Sequence, residues 1–260
     1  YSRFWDWEQY KPRFSNSWDE YRNSIWHRVG YVNWGYEAIG RFDSWEQIAN
    51  YPVDNDRKGN RTVVPGDIMY KDQNNDGVIN YLDERPIGYR VDSTPTLNFG
   101  INLSASWKGF DLAMDWTGSG MTSWNQCYET ARPFQNDGNS PDEVLKDAWH
   151  LSDIWDANSP LIPGKYPMVR LNTDETSAYD KSSYWLHNVT YLKLRNLEVG
   201  YTFPKTWLNR TGISNLRLFV SGTNLLTLSN LSVMDPECAS DNGLDYPPMR
   251  VINIGVNLKF

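Results

Sequence analysis

Residues 96–107 read TLNFGINLSASW. Leu97, Phe99, Ile101, Leu103, Ala105 and Trp107 share one parity, and Thr96, Asn98, Gly100, Asn102, Ser104 and Ser106 share the other. Successive side chains of a strand point to opposite faces, so this alternation predicts a long strand with one apolar and one uncharged polar face. Lys108-Gly109 reads as a tight turn. The chain returns as FDLAMDWTG, with Phe110, Leu112, Met114 and Trp116 on one face. A long hairpin is expected.

Three further strands follow. Residues 189–203 read VTYLKLRNLEVGYTF. Leu192 and Leu194 share one parity, whereas Leu197, Val199, Tyr201 and Phe203 share the other. That switch predicts a β-bulge near Arg195-Asn196, and Pro204 closes the strand. LRLFVSGTNLL (216–226) is the fourth strand and VINIGVNLKF (251–260) the fifth. Ile252, Ile254, Val256, Leu258 and Phe260 form the apolar face of the last. The links at 108–109 and 204–214 are short, while 120–188 and 227–248 are long and rich in Trp, Asp, Asn and Pro. Short turns at one end and long loops at the other are the habit of outer-membrane barrels. Such a barrel needs about eight strands to close, and an open sheet edge in lipid leaves backbone groups unpaired. The expectation is therefore an all-β fold that forms part of a larger barrel. The opening YSRFWDWEQY has neither a basic nor an apolar segment of a signal peptide, so an earlier portion is expected. Residues 1–95 read as a loop-rich segment, with a short helix in SWEQIANYPV (44–53) capped by Ser44. Residues 96–260 read as barrel strands.

The composition agrees. The chain has 260 residues, a net charge of −7 and 15% aromatic residues. No basic cluster offers a nucleic-acid partner its phosphate contacts. No run approaches the ~20 apolar residues of a membrane helix, but strands that are apolar only at alternate positions escape that test. Cys127 and Cys238 alone set no disulfide framework.

Residues 72–83 read DQNNDGVINYLD and match a twelve-residue calcium loop. Ca²⁺ takes six to eight oxygens, supplied by such a loop from positions 1, 3, 5, 7, 9 and 12. Here these are Asp72, Asn74, Asp76, the Val78 carbonyl, Asn80 and Asp83. Gly77 supplies the sharp turn, and Ile79 would anchor the loop to a core. Asp83 stands where Glu is usual, with Glu84 beside it as a substitute. The competing reading is a metal-free turn rich in Asx residues. A structural Ca²⁺ that staples the loop is the expectation.

Nucleophile, zinc-hydrolase and phosphate-loop motifs are missing, and His27, His150 and His187 are scattered, so no enzyme is expected. Trp124, Trp149, Trp155 and Trp185 in the long loop could meet a sugar or peptide ligand. Packing within the loops competes with that role.

In order along the chain stand PGDIMYKDQNNDGVINYLDERPIGY (65–89), SWKGFDLAMDW, YLKLRNLEVGYTFP (191–204), LRLFVSGTNLL and a terminal strand ending in Phe. Upstream lies GYVNWGYEAIGRFDSWEQI (30–48). This series resembles the C-terminal part of SusC/RagA-type TonB-dependent transporters over roughly residues 28–260. The resemblance implies a 22-stranded outer-membrane barrel of a Gram-negative cell, here without its N-terminal plug. It implies a SusD-like surface lipoprotein as lid, oligosaccharide or peptide as cargo, and coupling to TonB–ExbB–ExbD through the absent N-terminal part. It places the calcium-type loop outside the cell, makes Phe260 the barrel-assembly signal, and turns the apolar parities to lipid. The rival from composition is a secreted, calcium-braced, glycan-binding β-sandwich with its apolar faces buried together.

Overall fold

The computed structural model describes residues 13–24, 32–89, 95–171, 176–209, 212–231, 233–237, 242–243 and 245–260. In chain order the elements are α1 (Ser17–Asn23), β1 (Val32–Gly35), β2 (Ala38–Arg41), α2 (Trp45–Ala49), β3 (Ile68–Tyr70), β4 (Arg85–Tyr89), β5 (Leu97–Trp107) and β6 (Phe110–Asn125). They continue with α3 (Asp142–Lys146), β7 (His150–Leu151), β8 (Leu161–Ile162), β9 (Leu186–Thr202), α4 (Lys205–Leu208), β10 (Asn215–Ser229) and β11 (Val251–Lys259). Helices are few and short, and none of those described is long and apolar enough to cross a membrane.

The chain divides into two compact units. One comprises Tyr1–Asp92, Ser123–Asn188 and Ser240–Leu244; the other comprises Ser93–Thr122, Val189–Ala239 and Asp245–Phe260. Residues 123–188 thus group with the first part of the chain, whereas the alternation reading divides it at 95/96.

The second unit carries a five-stranded antiparallel sheet in the order β11-β10-β9-β6-β5. The five strands are those expected. β6 runs on to Asn125 and β9 begins at Leu186, so both reach into what reads as the 120–188 loop. The β5–β6 hairpin is in perfect register from Leu97↔Gly120 to Trp107↔Phe110. Lys108 and Gly109 at its turn both have positive φ, 48° and 89°, as a two-residue hairpin with a right-handed twist requires. The β9–β10 ladder is irregular at the expected place, but the extra residue lies in β10: Thr223 pairs with Asn196 and Leu226 with Leu194, so Asn224 and Leu225 oppose Arg195 alone.

Register decides the faces. Ile254 pairs with Val220 and Val220 with Val199, giving one apolar row across three strands. The adjacent row, Asn253–Ser221–Glu198, is polar. On the polar side Arg217 pairs with both Asp111 and Glu198, tying β10 to β6 and β9. The apolar side is bare: Val199 is 44%, Val220 48% and Ile254 82% exposed. A sandwich would have buried these residues.

The first unit holds the conventional core. Ile68, Tyr70, Ile79, Val144, Tyr166, Ala178 and Trp185 cluster with almost no exposure. Phe42, Ile48 and Val63 form a smaller cluster. α2 begins as expected, with the Ser44 hydroxyl accepting from the Gln47 N–H at 3.2 Å. α1 escapes the period reading, although Asn16 caps it and Asp19 and Glu20 sit in its first turn, which is a legible start signal.

Candidate functional site

The calcium-type loop is built from Asx side chains that accept neighbouring amides. Asp72 accepts from Asn75 N–H at 2.6 Å and from Gly77 N–H at 2.8 Å. Asn74 Oδ1 accepts from Asp76 N–H, and Asp76 Oδ1 from Val78 N–H. Asn75 and Gly77 both have positive φ, 59° and 84°, and open space around the Gly77 Cα leaves backbone conformation as the reason for glycine there. The Asp76 carboxyl is held below its ordinary value, first by the Val78 amide and then by the Asn74 side chain.

Asn80 Nδ2 donates to the Val78 carbonyl at 3.2 Å and approaches Asp76 Oδ2 at 3.4 Å. These contacts fill the inside of the turn. Asp72, Asn74, Asp76 and the Val78 carbonyl place oxygens on this short loop, whereas Asn80 turns its amide nitrogen to it and its Oδ1 accepts from Leu82 N–H at 2.9 Å. Asp83 is turned to another task. It is fully buried, accepts from Gln73 N–H and Asn80 N–H at 2.8 Å each, and closes a capping box on the 3₁₀ turn Tyr81–Asp83. Among the described residues no three His, Cys, Asp or Glu side chains group closely enough to hold a metal.

The loop is anchored as the sequence suggests. Ile79 is fully buried in the core cluster. Asp54 bridges the loop in parallel, its N–H donating to the Gly77 carbonyl and its carbonyl accepting from Ile79 N–H. The segment after Asp54 forms a second Asx-rich turn that alternation does not reveal. There Asp56 accepts from the amides of Lys58, Asn60 and Thr62 and from the Thr62 hydroxyl. Burial opposes its ionisation, but these donors, Thr62 foremost, hold it at about 2. With its oxygens so engaged, Asp56 staples a turn. Neighbouring Asn55, fully buried, donates to the Ile68 carbonyl and accepts from Tyr70 N–H. A sequence signal existed in the Asp-Asn-Asp run and Gly59.

The four tryptophans are not brought together as one surface. Trp124, Trp149 and Trp185 are buried at 4%, 7% and 2% exposure. Trp124 stacks on His187, and Trp185 stacks on Tyr179 while its indole N–H donates to the Ala178 carbonyl. The backbone of Gly66 lies against Trp149. These three pack the unit, which removes them as an open ligand platform. Trp155 alone is bare, at 90%, on the β7–β8 hairpin. His150 and His187 hydrogen-bond to the Ala148 carbonyl and the Gln126 side chain; His27 and Cys238 lie outside the described residues. Phe260 is exposed beyond the end of β11.

No protein-family model matches the chain. It is 30% identical over 242 residues to TonB-dependent receptor P3 of Formosa agariphila, covering 86% of this chain and 22% of that receptor. It is 24% identical over 252 residues to TonB-dependent receptor SusC of Bacteroides thetaiotaomicron, covering 90% of this chain and 20% of SusC. A solved structure of the RagAB peptide importer in its closed-closed state superposes with a TM-score of 0.58 at 21% identity, over 90% of this chain and 24% of that one. The chain is part of a SusC/RagA-type TonB-dependent receptor. It spans about a fifth of the length of the curated relatives it matches. This receptor segment is all-β, and the proteins it resembles are named receptors and importers, not enzymes.

Proposed function

We propose that this segment forms part of the wall and outer loops of an outer-membrane nutrient importer. The observation that carries the reading is the bare apolar row Ile254–Val220–Val199 backed by the polar row Asn253–Ser221–Glu198. Contiguous exposed apolar surface marks a contact with lipid or another apolar partner. Strands that alternate apolar-out and polar-in are how a barrel meets lipid outside and water inside. β5 and β11 stand at the two edges of the sheet, and more strands on either side would satisfy their open backbone groups.

In this reading the polar rows line the lumen and the calcium-type loop lies outside the cell. Trp155 and its hairpin meet cargo or a SusD-like lid lipoprotein. The cargo is an oligosaccharide or a peptide, and import is driven through TonB–ExbB–ExbD by portions of the receptor outside this chain. Ca²⁺ braces the outer loop through Asp72, Asn74, Asp76, the Val78 carbonyl and Asn80, displacing the Asn80 amide from its oxygens, with Asp83 as the sixth position once it leaves its cap. Phe260 serves as the assembly signal.

The test uses the full-length receptor in lipid vesicles, with a spin label placed at Ile254→Cys or Asn253→Cys. The label at 254 is expected to collide with oxygen dissolved in the bilayer, and the label at 253 with a water-soluble nickel chelate. Equal access of both labels to the chelate overturns the reading.

A further inference from the structure

Residues 233–237, after β10, fold back on β9 through an unusual set of charges. Lys193, on β9, is only 1% exposed. Its ammonium donates to both oxygens of Asp235, at 3.1 and 2.9 Å, and to Glu237 at 2.8 Å. Glu237 in turn pairs with Arg195 and accepts from the Tyr191 hydroxyl at 3.1 Å. Arg195 is fixed from its other side by Thr117 of β6 and Asn224 of β10. Glu237 N–H closes on Asp235 Oδ1 at 3.0 Å, so the segment Asp235-Pro236-Glu237 holds its two carboxylates as a preset pair. Both carboxylates are themselves mostly covered, at 16% and 14% exposure.

We propose that Asp235-Pro236-Glu237 is a latch. It fastens residues 233–237 over Tyr191 and Lys193, and its release uncovers the Lys193 ammonium and frees the partly exposed Arg195 from its carboxylate. The argument is electrostatic. A buried ammonium without a compensating anion is strongly disfavoured, whereas the paired arrangement is tolerable because its donors are satisfied. Removing the carboxylates therefore leaves Lys193 with one inexpensive relief, which is lifting the strap to let water in. The sheet need not open, because the ladders β9–β10 and β10–β11 are made by backbone groups. Asp235 and Glu237 lie on a segment outside the strands, so the cover over the Lys193 ammonium can lift without opening the sheet. The inference holds whether or not the receptor imports nutrients.

The test is hydrogen exchange, read by mass spectrometry, on the full-length receptor and its Asp235→Asn/Glu237→Gln double variant. Exchange in the strap, residues 233–237, is expected to accelerate about tenfold or more, since losing a hydrogen-bonded charge pair is a change of at least that size in an opening equilibrium. Exchange in β10 and β11 is expected to stay as in the parent. Unchanged strap exchange overturns the proposal. So does acceleration in strap and sheet together, because the charges would then be holding up the fold.

Discussion

Asp56 shows how a single side chain can define a turn. Its carboxylate gathers three backbone amides and a hydroxyl within seven residues of chain. Because its folded value, about 2, lies below the ordinary ~3.9 of an unfolded Asp, the stabilisation is complete above pH ~4 and is lost as pH falls through about 2. After solvent screening the effect is on the order of 1–2 kcal/mol. Acidification from pH 5 to 2 is therefore expected to release the amides of Lys58, Asn60 and Thr62 to hydrogen exchange ahead of the core. Asp56→Asn would show the fast exchange already at pH 7, and a variant indistinguishable from the parent would refute the staple. Trp185 makes the contrasting point about large side chains. It is buried among Tyr166, Tyr179 and Tyr184 with its N–H satisfied. Trp185→Ala should cost about 3–5 kcal/mol, seen as a lowered midpoint in denaturant, whereas Trp155→Ala should leave that midpoint unmoved. The sequence alone cannot separate these two tryptophans. What differs is the set of distant rings that surround one and not the other.

Elements were legible where one strand dictates its own pattern. β5, β9, β10 and β11 announce themselves because a pleated chain between apolar and polar surroundings must alternate; the parity switch at Arg195–Asn196 marks the irregular place in the ladder, but the extra residue sits opposite it, at Asn224–Leu225 of β10. β1 to β4 are three to five residues long, too short to show a period, and they are held by side chains from elsewhere, as Ala38 N–H is by the Ser183 hydroxyl. Lys193 was equally hidden, since nothing in KLRN says that its charge is covered by residues more than forty positions on. The calcium-type loop was legible as a spacing, but the turning of Asp83 into a cap was not, because it depends on the 3₁₀ turn that follows. Calcium titration of the full-length receptor should give a binding heat that Asp72→Ala with Asp76→Ala removes; a parent with no calcium heat would leave the loop a hydrogen-bonded turn alone. Glycine placement within the hairpin yields another test. A Cβ at Gly118 would overlap the Phe99 ring that lies across it, an aromatic covering a strand glycine. Gly118→Val should displace that ring at a cost of about 1–3 kcal/mol, whereas Gly100→Ala, whose Cβ would meet only the Trp116 carbonyl oxygen at 3.6 Å, should cost less. Unfolding of the reconstituted receptor in urea would rank the two.

For the whole molecule, the five strands and the loop-rich unit pose complementary demands. In the proposed reading the strands meet lipid on one side and further strands at both edges, and the bare Trp155 meets cargo or a lid. An importer meets both, since its wall must be inert to lipid while its outer loops select what enters. Energy coupling is the property that separates an importer from a passive pore built on the same wall. Cells carrying the full-length receptor and its lid lipoprotein should accumulate labelled oligosaccharides or labelled peptides against a gradient. A protonophore that collapses the inner-membrane potential should abolish accumulation without lowering surface binding. Trp155→Ala should weaken surface binding if the hairpin touches cargo or lid, and a shift of about tenfold is the scale for removing one well-buried aromatic contact. Accumulation that survives the protonophore would make the receptor a diffusion channel. Accumulation of neither cargo class, with the strands still in the bilayer, would keep the barrel and discard the nutrient.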